Sequence, residues 1–189
     1  MEIPIGTLKL TLVEAATRQT DAAIEQYEKA LQLQTKVAPL CALIGNLYLD
    51  KNDLKTARQY YQKALDIDPS FAVANANMAW VDAQEGKDLD VALGMAQKAK
   101  SEMPEQPSIT DTLAWVMYKK GNYSGAIPLL QDCVQKAPSS AEYHYHLGVV
   151  LIAAGQKDKG KSQLQAALQM KQLKDADMQL ARQTLLQIE

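Results

Sequence analysis

The stretch DTLAWVMYKKGNYSGAIPLLQDCVQKAP, residues Asp111 to Pro138, decides the fold. It reads as two amphipathic helices joined by a tight Lys120-Gly121-Asn122 turn and closed by a proline. Leu113, Ala114 and Met117 share one face at helical spacing, and Ala126, Leu130, Cys133 and Val134 share one after the turn. Neither helix can bury its apolar face alone, so the pair needs neighbouring pairs.

The same unit recurs along the chain. Aligned on the small residue that opens each second helix, Ala23, Ala57, Ala92, Ala126 and Gly160 are separated by 34, 35, 34 and 34 residues. Seven residues on come Ala30, Ala64, Ala99, Cys133 and Ala167, and between them Tyr27, Tyr61, Ala96, Leu130 and Leu164. First helices of units two to five carry Gly45, Ala79, Ala114 and Gly148. Thr35, Pro69, Pro104, Pro138 and Gln172 hold the terminating place. Small residues let helix backbones approach, larger ones fill the space beside them, and proline supplies no amide for a further turn.

This pattern resembles the tetratricopeptide repeat family. Gly45-x-x-Tyr48, Ala57-x-x-x-Tyr61-x-x-Ala64 and Pro69 carry its signature, and the resemblance covers about residues 4 to 172. It implies an all-α, right-handed superhelical solenoid of about five helix-turn-helix repeats with a C-terminal capping helix. The chain then reads as a single domain over 1–189, with repeats at about 4–37, 38–71, 72–106, 107–140 and 141–173 and the cap at 174–188. Helix pairs are expected at 6–17 with 20–34, 38–51 with 54–67, 71–85 with 89–102, 107–120 with 123–137, and 141–154 with 157–171.

The departures are specific. The family's tryptophan place holds Thr7, Cys41, Asn75, Thr110 and His144. Unit one puts Thr7, Thr11 and Glu14 where apolar or small residues belong, and Leu8 to Leu12 alternates like a strand. One extra residue in Glu85 to Asp90 lengthens the third unit's turn, which should leave the stack undisturbed. Asn52 with Asp53, Asn122, and Ser139 with Ser140 supply capping oxygens. Pro128 either kinks its helix or marks a late start. In the cap, Met178, Leu180, Ala181, Leu185 and Ile188 are read as facing inward. The N-terminal end has no such cap, and its Ile3, Ile5, Leu8, Leu10, Leu12 and Val13 suggest removed repeats or a packing partner.

Composition narrows the function. A net charge of -2 with no basic stripe removes the attraction to phosphate backbones, so nucleic acid is not an expected partner. No apolar run approaches the ~20 residues that cross a bilayer, so no direct membrane insertion is expected. No leader is visible, so the chain reads as soluble, cytoplasmic as written, and periplasmic or envelope-associated if it is part of a longer protein. Cys41 and Cys133 lie on apolar helix faces as small hydrophobes. His144 and His146 point about 200° apart on a helix and cannot share a metal. His144 takes a packing place. The turn carboxylates Glu85, Asp88 and Asp90 lack the spacing of a calcium loop, and no phosphate-binding or nucleophile motif occurs. No catalytic residue, metal or cofactor is expected, and the chain does not read as an enzyme.

The family resemblance places one side of each first helix on a concave groove that receives partner proteins or peptides. The register puts Asn46 and Leu49 there from unit two, with Ala76, Trp80 and Gln84 from unit three. Asp111, Trp115, Tyr118 and Lys119 follow from unit four, and Tyr145 and Val149 from unit five. The alternative is that the tryptophans seal one helix pair against the next. The basic clamp by which some members hold chaperone tails is absent, since its places hold Leu8, Ala42 and Ala76. The segments Asp90 to Lys100, Asp111 to Leu130 and Tyr143 to Gly148 resemble C-terminal repeats of large bacterial tetratricopeptide proteins of the PEP-CTERM type. That resemblance implies a scaffold in exopolysaccharide export or protein sorting at the cell envelope. A second expectation is a homo-oligomer that self-associates through the uncapped N-terminal end.

Overall fold

Helix α1 spans Ile5–Leu33, α2 Ala38–Asp50, α3 Leu54–Ile67, α4 Ala72–Glu85 and α5 Leu89–Glu102. They are followed by α6 (Pro107–Lys119), α7 (Tyr123–Lys136), α8 (Ala141–Ala153), α9 (Lys157–Gln169) and α10 (Asp175–Ile188). This computed structural model describes residues 5–33, 37–170 and 172–188, with side chains from residue 18 onward. The fold is an all-α helical repeat, and the described residues contain no strand. Contacts divide the chain into two compact units, with the boundary between Ala74 and Asn75 inside α4. Each is described by itself. The terminating residue Thr35 and the apolar Ile3 lie outside the described residues.

The hairpin turns show why the repeat folds as it does. The first helices of repeats two to five each end on a left-handed residue: Asn52 (φ 59°), Gly86 (65°), Gly121 (79°) and Gly155 (80°). The amide of that residue and the next reach back into the helix, as Gly121 N–H to Tyr118 O and Asn122 N–H to Met117 O do at 2.8 and 2.9 Å. The pattern repeats at Leu49 and Tyr48, Ala83 and Asp82, and Ile152 and Leu151. Asn52 is therefore a helix terminator rather than a cap of the next helix. The caps are Asp53, Asn122 and Ser140, whose side-chain oxygens accept from the amides of Thr56, Gly125 and Tyr143. In two turns the capping residue, Asp53 or Asn122, follows the left-handed one directly, and after Gly155 the N-cap place holds Gln156 without a side-chain cap. After Gly86, Lys87 intervenes and Asp88 itself takes φ 45°, so the third unit's extra residue sits in the turn.

The first pair departs from the expected hairpin. Residues 5–33 form one continuous helix, including the strand-like stretch 8–12. Two causes are visible. Arg18-Gln19-Thr20 holds no glycine or asparagine to take the left-handed turn. In the sister pair, a Cβ on Gly45 would lie 2.5 Å from the Tyr61 ring, and the same register gives unit one Thr11 opposite Tyr27. The consequence appears in burial. Ala64, Ala99, Cys133 and Ala167 are wholly buried, while their counterpart Ala30 is exposed and Leu33 is 87% exposed. The C-terminal half of α1 still buries Ile24, α1 packs on α2, and Asp21 pairs with Lys51 at the end of α2.

In the second unit, Ala79, Ala83, Ala92 and Ala96 pack with Leu113, Trp115 and Val116. Ala114, Ala126, Leu130, Leu147, Val150 and Leu151 form the next layer. Gly148 and Gly160 bring α8 and α9 closest, since a Cβ on Gly160 would lie 2.8 Å from the Gly148 carbonyl. Asp90 and Lys120 repeat, two helix pairs further along the chain, the pairing of Asp21 with Lys51. Helix α7 starts at Tyr123 and runs through exposed Pro128, so it does not start late. Helix α10 buries Ala181 and half-buries Met178, Leu185 and Ile188, but Leu180 is 50% exposed and does not face inward as its spacing suggested. Cys41 and Cys133 are free and buried, as their places on the apolar faces require. Burial pushes the Cys133 thiol up to about 12.

Candidate functional site

The site residues come from the first helices of the repeats. In the compact half that ends at Ala74, Asn46 and Leu49 on α2 are half-buried, and the Asn46 side-chain oxygen accepts from the Tyr61 hydroxyl at 2.8 Å. In the second unit, α4 places Ala76 in the core, Trp80 half-buried and Gln84 exposed. On α6, Asp111 and Trp115 are buried at 5% and 7% exposure, Tyr118 is half-buried and Lys119 exposed. On α8, Tyr145 is buried and Val149 half-buried.

Four of these side chains meet around one the sequence reading left out, His146. The Trp80 and Trp115 rings stack with centroids 5.7 Å apart. The His146 ring lies 4.3 Å from Trp115, 5.4 Å from Trp80 and 5.6 Å from Tyr145. Tyr118 covers Trp115 at 4.8 Å, and the Lys119 ammonium lies 5.9 Å over the Trp115 ring. Beneath the rings, His146 Nδ1–H donates to both Asp111 oxygens, at 2.8 and 2.9 Å. Trp115 is thus core, sealed by its aromatic neighbours, rather than an open floor. Among the described residues its indole N–H has no hydrogen-bond partner. The side chains left within reach of solvent are Trp80, Gln84, Tyr118, Lys119 and Val149.

The electrostatics favour charge on the imidazole. Burial alone disfavours the imidazolium, but the Asp111 charge and hydrogen bond, with Glu142 and Asp177 nearby, outweigh it and raise His146 above its ordinary 6.5. Burial, with help from Asp111 and Asp177, also raises the Glu142 carboxyl against the opposing pull of His146. The two histidines differ in kind. His144, at its packing place, is half-buried and bonds Gln163 at 2.6 Å through Nδ1 and the Pro138 carbonyl at 3.1 Å through Nε2. No group of three or more His, Cys, Asp or Glu able to hold a metal occurs among the described residues. The signal that could have found His146 is its spacing of 35 residues from Asp111, one repeat plus one, which sets an acid and a base on adjacent first helices.

Tetratricopeptide repeat profiles match residues 38–71 and 117–185, together more than half of the chain. The chain belongs to the tetratricopeptide repeat family. Among curated proteins it is 27% identical to the bovine (Bos taurus) BBSome complex member BBS4 over 78% of this chain. It is 23% identical over 66% of the chain to the mitochondrial import receptor subunit TOM70 of Rattus norvegicus. The chain spans 28% of BBS4 and 20% of TOM70, less than a third of either. Among solved structures, YrrB, described as a tetratricopeptide repeat protein with an unusual peptide-binding site, is 26% identical with a TM-score of 0.61. The similarity covers 78% of this chain and 75% of YrrB. The type IV pilus biogenesis factor PilW is 17% identical with a TM-score of 0.74, over 99% of this chain and 87% of its own, which is a likeness of fold. Among the described residues of this repeat chain, no helix is long and apolar enough to cross a membrane.

Proposed function

We propose that the chain is a non-enzymatic scaffold that holds another protein or peptide against the first-helix side of its repeats. The observation that carries the reading is the set of reachable side chains on successive first helices. Trp80 and Gln84 come from α4, Tyr118 and Lys119 from α6, and Val149 from α8, backed by a packed aromatic layer. Aromatic and cationic side chains on a rigid support suit binding hot spots. Asn46 and Leu49 hold the corresponding first-helix places on α2, within the compact unit that ends at Ala74. The relatives support this class of role, since the name of one places it in a complex, that of another in an import receptor, and YrrB is described by its peptide-binding site. A bacterial envelope or exopolysaccharide assembly is the setting suggested by the segments 90–100, 111–130 and 143–148. Capture from native extract tests the surface. A Gln84→Ala/Lys119→Ala variant should lose proteins that wild type and an outer-face Gln131→Ala control retain. Equal capture by all three would refute the assignment.

A second reading, self-association through the N-terminal end, is favoured by exposed Ala30 and Leu33 on α1. It requires molar mass to rise with concentration. A monomer throughout would end it.

A further inference from the structure

We infer that His146 and Asp111 form a proton-operated latch that holds the stacked indoles of Trp80 and Trp115 in place between α4, α6 and α8. This goes beyond the binding role proposed above and needs no partner to be tested.

The geometry makes one proton serve two contacts. Asp111 and His146 lie on different helices, both more than nine-tenths buried, with both carboxylate oxygens on the same ring nitrogen. A carboxylate so far from water needs a positive partner. The same imidazole lies against aromatic rings from three helices: Trp80 on α4, Trp115 on α6 and Tyr145 on α8. Aromatic rings attract a cation to their faces, and more strongly when water is excluded. When the proton leaves to solvent, the neutral ring can still donate Nδ1–H to Asp111. The carboxylate charge is then uncompensated, and the attraction to the indole faces is lost in the same step.

The surrounding groups hold the proton on. From α6 comes Asp111, from α8 itself Glu142, and from α10 Asp177, all carboxylates that favour the imidazolium. Helix α4 meets the ring through Trp80, which does not titrate. The phenols of Tyr118 on α6 and Tyr145 on α8 are both pushed up by burial and stay neutral across the range that matters. Lys174 acts on Glu142 from outside. Because the folded-state value is raised, the latch contributes fully below 6.5, where the histidine is protonated folded or unfolded. The contribution is lost as pH rises through the folded-state value.

The protein carries its own probe. Its only two tryptophans are the two that touch His146, and an imidazolium beside an indole quenches its emission. Tryptophan emission of the full chain, titrated from mildly acid to mildly alkaline pH, should rise in one step with a midpoint above 6.5. His146→Gln should abolish the step, and Asp111→Asn should move its midpoint down. A midpoint at or below 6.5, a step that survives His146→Gln, or no step at all would overturn the inference. If either variant fails to fold, the wild-type imidazole resonances decide. There are two histidines, and ring currents from both indoles mark the signal of His146 apart from that of His144. That marked signal must titrate above 6.5 for the latch to stand.

Discussion

Two glycine-to-alanine substitutions, chemically identical, should move stability in opposite directions. Gly94 lies inside α5, where a Cβ would meet nothing within 4 Å. Alanine there gains helix propensity alone, about 1 kcal/mol. Gly160 lies in α9 against α8, where a Cβ would stand 2.5 Å from Ile152 Cγ1, 2.8 Å from the Gly148 carbonyl and 3.1 Å from the Ile152 amide. Ile152 can rotate, but two of the three obstacles are backbone, so the helices themselves must separate. Overpacking a close contact costs about 1–3 kcal/mol, and the rigid backbone puts this site in the upper part of that range. Subtracting the propensity gain of at most about 1 kcal/mol leaves Gly160→Ala less stable by about 1–2 kcal/mol. The two variants should then differ by about 2–3 kcal/mol. Urea unfolding followed by far-ultraviolet circular dichroism reads both. Stabilisation by both substitutions would show that the close approach of α8 and α9 is not what requires a glycine.

Further outcomes follow from burial and capping. Trp115→Ala removes a core ring and should cost about 3–5 kcal/mol by thermal or urea melting, whereas Lys119→Ala, exposed beside it, should leave the melt within about 0.5 kcal/mol of wild type. Equal melts for the two would mean that Trp115 is not packed. Asn122→Ala deletes the side-chain oxygen that accepts from the Gly125 amide and should cost about 1 kcal/mol, which amide exchange at the start of α7 would localise. Cys133, buried with a raised thiol that donates to the Pro107 carbonyl at 3.3 Å, should resist thiol reagents at neutral pH until urea opens the repeat. Prompt labelling in the native state would contradict its burial.

The repeat was legible because its signals are local and periodic. Small residues at Ala57, Ala92, Ala126 and Gly160 recur at fixed spacing, and each lands in a helix contact. The continuity of α1 was harder to read. It depends on what is missing from Arg18-Gln19-Thr20 and on Thr11 standing in the register of Gly45, a place where, in the sister pair, Tyr61 leaves no room for a side chain. A periodic pattern marks where helices belong and says little about whether the bend between them can form. Spacing sets Trp115 one residue after Ala114 but cannot show that Trp80 and Tyr118 close over it. His146 carries no signal of its own in the sequence, since its neighbour His144 points about 200° away and shares no site with it. Its real partner is one repeat away, and pairwise contacts between repeats leave no trace in helical periodicity.

The connection at Gly86 to Asp88 has a use in protein engineering. Helix α4 is already closed there by the amides of Gly86 and Lys87, and α5 begins independently after Asp88. The spare residue between those two events shows that neither helix fixes the length of the link. A peptide tag, a fluorophore site or a break between two co-expressed fragments placed beside Lys87 therefore enters a seam that both helices already bound. The tighter turns at Asn52, Gly121 and Gly155, where the next helix's N-cap place adjoins the terminator, give no such opening.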